Sequence, residues 1–371
     1  MNMHRTWTEI NLETMRSNLL TIRSNLGPMV TLGIVVKADA YGHGLRAIVP
    51  LLNLEKIEFA IVAYVEEALV LRQCSFTGKI LVLNEVSDEL CKAITEFNLT
   101  LCIGSYEYAK IVNEYGRKLR SKVNVHIEID TGIGRSGLYY HESLNQIEQI
   151  VAFNNLEPEG IFTHFSNADS KSLETTTEQL RNFKELVRKL SAKGIEFKYT
   201  HAATGCSAFS LPDSQLNLVR IGAAFYGLQS SNEKEYPIQV RPVLSWFTRV
   251  SRIRRLRAGE NLGYGINPLP VDSKIAVLPI GYGDGFSRRP NFNFVLIRSH
   301  RVPIIGHVSM SEAYADVTGI GVVEVGDTVT IIGKQGKTSL SAQDHAKSWD
   351  TVSEEIVASI SPLVPRIYLS K

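Results

Sequence analysis

The most constraining feature of this chain is a rhythm. Short apolar runs recur at roughly 32–37, 58–63, 79–83, 98–103, 122–129, 157–163, 196–202 and 217–221. Between most of them lie stretches of helical period: VEEALVLRQ, SDELCKAITEF, YEYAKIVNEYGRKL, ESLNQIEQIVAF and TEQLRNFKELVRKL. Parallel strands cannot be joined by tight turns and need a crossover, most often a helix, so strand–helix alternation specifies a parallel sheet. Eight strands, seven intervening helices and an opening helix through Leu12, Met15, Leu19, Leu20 and Ile22 predict a (β/α)8 TIM-type barrel. A doubly wound open sheet is the competing arrangement. It ranks second, because no GxGxxG follows the first strand. The rhythm stops at 229–242, QSSNEKEYPIQVRP, a polar stretch with two prolines that reads as a linker. Beyond it SWFTRVSRIRRL, KIAVLPIGYG, FVLIR, VPIIG, AYADVT and DTVTIIG read as strands, with one helix near 353–360. The α/β chain is therefore expected to hold a barrel at 10–238 and a mainly-β domain at 239–371, which a first strand at 1–9 is free to join.

In a barrel of this kind chemistry sits at the C-terminal ends of the strands, on the βα loops. The conspicuous polar residues fall there. Lys37 ends the first strand in IVVKADAYGHG, where Gly42 and Gly44 permit a tight turn and Tyr41 offers a phenol. Glu128 and Asp130 end the fifth strand, before a turn that carries Arg135; His164, His201 and Arg220 end the sixth, seventh and eighth. A lysine at one strand end commonly does no more than snorkel into water. Five strand ends carrying chemically capable groups at one end of one barrel point to a site. A lysine half-buried there has its pKa lowered, and a neutral amine can form a Schiff base.

Other function classes fit poorly. Forty Lys and Arg against 38 Asp and Glu give a net charge of +2, no field to recruit nucleic acid or an anionic membrane. No apolar run approaches a membrane span, and the opening MNMHRTWTEINLETM has no apolar segment of a leader, so a cytoplasmic protein is expected. Cys74, Cys91, Cys102 and Cys206 lack paired spacing and read as reduced, buried thiols. No metal is expected, since His164 and His201 have no partner at ligand spacing.

IVVKADAYGHG resembles the pyridoxal-phosphate lysine motif of the alanine racemase family, the PLP-dependent enzymes of fold type III. EIDTGIGRSG, THFSNAD, LVRIGAAFYGL, LGYG followed by PIGYGDGFSRR, and VPIIGHVSM resemble segments of the same family in the same order. The resemblance implies a barrel plus a C-terminal β domain, pyridoxal 5'-phosphate (PLP) as cofactor, and D-alanine biosynthesis through interconversion of L- and D-alanine. It implies a two-base mechanism in which Lys37 holds the cofactor and serves as one base while Tyr264 is the other. Tyr41, Gly205, Gly222 and Ala223 would hold the phosphate; His164 would lie near the ring, and His201 would orient Arg220 against it. Arg135, Met310, Tyr282 and Glu128 would line the substrate side. A homodimer with shared active sites follows from the same likeness, because Tyr264 and Met310 belong to the second domain.

The chain also departs from that family. Ser309, Met310 and Ser311 stand where Cys-Met-Asp is usual, Thr204 and Gly205 where Asn-Ser is common, and Pro362 where a phosphate-pinning tyrosine is expected. Glu128 replaces a lysine that is often carbamylated, and its own negative charge would pair with Arg135. These departures leave open a racemase for serine or a larger amino acid. A fold-III PLP decarboxylase would need no poised tyrosine, and a non-catalytic PLP carrier would resemble the barrel alone.

Overall fold

The computed structural model describes residues 4–229, 236–288 and 293–370. Residues 230–235 of the expected linker and 1–3 of the expected first strand lie outside them. The chain opens on β1 (Thr6–Asn11), then a helix at Leu12–Ser24. Strands β2 (Thr31–Val35), β3 (Phe59–Val62), β4 (Lys79–Val82), β5 (Leu99–Ile103) and β6 (Val123–Asp130) follow, each separated by at least one helix. A two-residue strand, β7 (Leu138–Tyr139), pairs only with β6. Then come β8 (Leu156–Thr163), β9 (Tyr199–His201) and β10 (Leu218–Ile221). The hydrogen-bonded order β5-β4-β3-β2-β10-β9-β8-β6 closes on itself because β5 also pairs with β6. Eight parallel strands thus form a barrel in which every one of the eight expected apolar runs is a strand. The runs are apolar throughout because both faces are covered, as in Phe59, Ala60, Ile61 and Val62, all fully buried.

Beyond the barrel the chain is strand-rich. β11 (Leu244–Arg249), β12 (Arg252–Leu256), β13 (Ser273–Leu278), β14 (Phe294–Ile297), β15 (His300–Pro303), β16 (Ala313–Asp316), β17 (Thr328–Gln335), β18 (Thr338–Leu340) and β19 (Arg366–Leu369) make two sheets. The larger runs β15-β14-β17-β11-β1-β19, with β18 on β17; the smaller is β12-β13-β16. β1 therefore lies within the C-terminal sheet, antiparallel to β11 and parallel to β19. Two helices stand late in the chain where the sequence pattern gave one. Ser353–Ala358 falls in the expected region; Ala342–Trp349 precedes it. The overlooked signal was a capping box: Ser341 accepts from the Asp344 N–H, and the Asp344 carboxylate accepts from the Ser341 N–H.

Candidate active site

At the C-terminal end of the barrel a cavity of about 500 Å³ is lined by Lys37, Tyr41, Glu128, Arg135, His164, Arg220 and the backbone at Gly205, Gly222 and Ala223. The fold explains each placement. Lys37 follows β2 with one residue between them and opens an unusual turn: Ala38, Asp39, Ala40 and Tyr41 all have φ between 52° and 56°. One turn of left-handed helix built from non-glycine residues costs about 1–2 kcal/mol per residue, so its surroundings must hold it. Glu67 accepts from the Ala38 N–H at 2.6 Å, and Asp39 accepts from the Leu45 N–H at 2.7 Å. The Arg366 Nε–H donates to the Gly42 carbonyl at 2.8 Å. Tyr41 stacks on Tyr226, centroids 4.9 Å apart, and the Tyr226 hydroxyl donates to Val35 O at 3.0 Å. Lys37 is thereby fixed at the cavity wall, where burial and then the Arg135 charge lower its pKa.

Arg220 is buried and made fast from several sides. Its guanidinium donates to His201 Nδ1 at 2.6 Å, Thr163 O at 2.9 Å, Ala202 O at 3.2 Å and His164 Nδ1 at 3.3 Å. Arginine has only donors, so the imidazole nitrogens facing it must be acceptors. The proton of His201 then sits on Nε2 and is donated to His126 Nδ1 at 2.8 Å. A fixed cation thus dictates two tautomers in succession. Burial, followed by the Arg220 charge, holds His201 far below its usual pKa and His164 at about 3. Burial also lowers the Arg220 guanidinium, to about 10, so it remains cationic at neutral pH. Sequence reasoning missed His126, which looks like any polar residue in VNVHIEID.

Asp130 builds the turn that carries Arg135: its Oδ1 accepts from the N–H groups of Gly132, Ile133 and Gly134 at 2.8, 2.9 and 3.2 Å. The expected pair between Glu128 and Arg135 is corrected here. No ion pair or hydrogen bond joins them among the described residues. Glu128 instead accepts from the Ser136 hydroxyl at 2.7 Å and the Cys102 thiol at 3.6 Å, and its charge favours the cationic form of Arg220. The strand end buries Glu128 beside β5, while the turn leaves Arg135 exposed. Tyr264, Tyr282 and Met310 do not line the cavity. They are 66%, 45% and 62% exposed on the C-terminal domain, and Tyr282 and Met310 are brought together by Tyr282 N–H donating to Ser309 O and Gly283 N–H donating to Met310 O.

The residues present fit PLP. A Cβ on Gly222 would sit 2.6 Å from the Tyr41 hydroxyl, so the missing side chain leaves a concave backbone wall beside a phenol. Backbone N–H groups at the start of the 205–210 helix lie at the same cavity, at the end of β9 and β10, where such a barrel usually holds a phosphate. An amine of lowered pKa and a buried cation complete what a phosphorylated pyridine aldehyde needs.

Comparison with known proteins agrees over the whole chain. The family described as alanine racemase, N-terminal domain, matches residues 10–230, and alanine racemase, C-terminal domain, matches 243–368. An alanine racemase of Halothermothrix orenii is 35% identical over 368 residues, 99% of this chain and 97% of that protein. The solved alanine racemase of Clostridium difficile 630 superposes with a TM-score of 0.94 at 32% identity, covering 100% of this chain and 97% of that one. A Bartonella henselae alanine racemase solved with covalently bound pyridoxal phosphate gives 0.89 at 26% identity, covering 99% and 100%.

Proposed function

The chain belongs to the alanine racemase family, and from that premise we propose that it interconverts L- and D-alanine with PLP as its cofactor. The observation that carries the reading is Lys37, an amine of lowered pKa that lines one cavity with the bare backbone at Gly205 and Gly222 and with the cationic Arg220. The cofactor, when bound, supplies the electron withdrawal that makes the substrate Cα proton acidic. The rest falls to this chain's residues. Lys37 Nζ takes or gives the Cα proton on one face, which needs an amine largely neutral at working pH. Arg220 presents only donors, so a ring nitrogen facing it stays unprotonated and the carbanionic character at Cα is weakly stabilised. A second acid must then be ready on the opposite face. Tyr264 is the candidate, and its position on the exposed face of the C-terminal domain supports a homodimer in which a partner subunit's Tyr264 reaches this Lys37. Arg135 provides a fork for the substrate carboxylate. The family membership supports a cytoplasmic enzyme acting on a small amino acid, and among the described residues no helix is long and apolar enough to cross a membrane.

The test is chiral analysis of purified protein given L- or D-alanine in D2O. Wild type should deuterate and interconvert both. Tyr264→Phe should keep exchange from the enantiomer that faces Lys37 and largely lose it from the other. Equal, mild losses in both directions would remove the two-base assignment; no PLP uptake by wild type would remove the whole reading.

A further inference from the structure

We propose that Tyr236, the first described residue after the 230–235 stretch, is a ligand of the cofactor phosphate, donating its hydroxyl beside Gly205. The inference rests on the PLP reading above. Two tyrosines converge on the cavity wall from different parts of the chain: Tyr41 over Gly222, and Tyr236 over Gly205. A Cβ on Gly205 would lie 3.4 Å from the Tyr236 hydroxyl and 3.6 Å from the Ala224 methyl. That is ordinary contact distance, and it places the Tyr236 hydroxyl directly beside the Gly205 backbone. The phenol thus stands beside the start of the 205–210 helix, on the same cavity wall.

The phenol is held there. Tyr236 is only 7% exposed, yet it lines the cavity, and its ring meets Phe209 edge-on with centroids 6.4 Å apart. Its backbone N–H donates to the Gln229 side chain at 3.1 Å. The chemistry of this end of the cavity asks for such a donor. Glu354 also lines it, and burial together with the Glu354 charge pushes the Tyr41 phenol up, so that Tyr41 stays a donor. A phosphate dianion beside a carboxylate is retained by neutral donors, namely backbone N–H and phenol O–H, and Tyr236 adds a second phenol to the first.

The experiment compares PLP with pyridoxal, which lacks the phosphate, in wild type and Tyr236→Phe. Both proteins are stripped of cofactor and titrated while the absorbance of the lysine-bound form is followed. A hydrogen bond to a charged acceptor corresponds to roughly a tenfold or greater loss in affinity when removed. PLP should therefore bind Tyr236→Phe about tenfold more weakly, while pyridoxal binds both proteins alike. Unchanged PLP affinity, or equal losses for PLP and pyridoxal, overturns the proposal, since the phenyl ring keeps the packing on Phe209. Failure of wild type to bind PLP at all would instead strike the functional reading beneath it. If the variant does not fold, a crystal structure of the wild-type holoenzyme decides: a Tyr236 oxygen within about 3.2 Å of a phosphate oxygen supports the assignment, and one beyond hydrogen-bond reach refutes it.

Discussion

Five histidines, His43, His126, His164, His201 and His345, are kept neutral in the folded protein, each first of all by burial. His43 falls to about 4 and His164 to about 3. Because these folded values lie below the unfolded value of about 6.5, the unfolded chain takes up protons on acidification that the folded one refuses. Stability should be independent of these groups above about pH 7.5 and fall as pH drops from about 6.5 toward their folded values. His43 and His164 together give a slope approaching roughly 2.7 kcal/mol per pH unit. Urea unfolding at pH 7.5, 6.5 and 5.5 measures it, and His164→Asn should remove about half of the pair's slope. An unchanged slope in that variant would mean His164 is protonated in the fold. Residue identities at strand ends were legible in the sequence because a barrel gathers those ends into one place. Which partner each would find was not: Glu128 and Arg135 are seven residues apart, but the intervening turn, drawn tight by Asp130, sends them to different neighbours.

The left-handed turn at 38–41 shows where reading the pattern falls short at the scale of an element. Glycines at 42 and 44 announced a turn, yet the left-handed run begins four residues earlier, on Ala38. Nothing in alanine's preferences signals that conformation, which is imposed by Glu67, Arg366, Tyr226 and the helix at Ser353–Ala358 from far along the chain. A Cβ on Gly42, at φ +73°, would sit 2.2 Å from the Val357 carbonyl of that helix. Gly42→Ala should destabilise the protein by about 2–4 kcal/mol, combining overpacking with the left-handed penalty. Gly194→Ala provides the control, because Gly194 has φ +78° but nothing within 4 Å of the added carbon. It should cost only about 1 kcal/mol. Thermal melts of the two variants separate crowding from backbone strain, and equal shifts would show that the helix yields to the new methyl group.

The whole molecule places its candidate residues on two surfaces that do not meet within the chain. The cavity holds Lys37, Arg135 and Arg220; the C-terminal domain exposes Tyr264 and Met310. If two copies complete each other, mixing inactive Lys37→Ala with inactive Tyr264→Phe should restore activity, because one of the two hybrid sites keeps both bases. Complementation assays with a solution mass measurement check this; a monomeric mass with no recovery would sink it. The barrel was legible because its alternation is local, whereas the way the two parts are tied together depends on pairings across almost the full chain. β1 pairs Thr6 with Thr248 and Thr8 with Arg366. At about 5–20 residues per second, a ribosome needs roughly 20 to 70 seconds to add the 355 residues from Asn11 to Arg366. The strand that carries Trp7 and Ile10 can pair with β11 once residue 249 is made, but its other edge stays open until β19 follows. The earliest-made strand is therefore fully paired only once the last strand of its sheet exists.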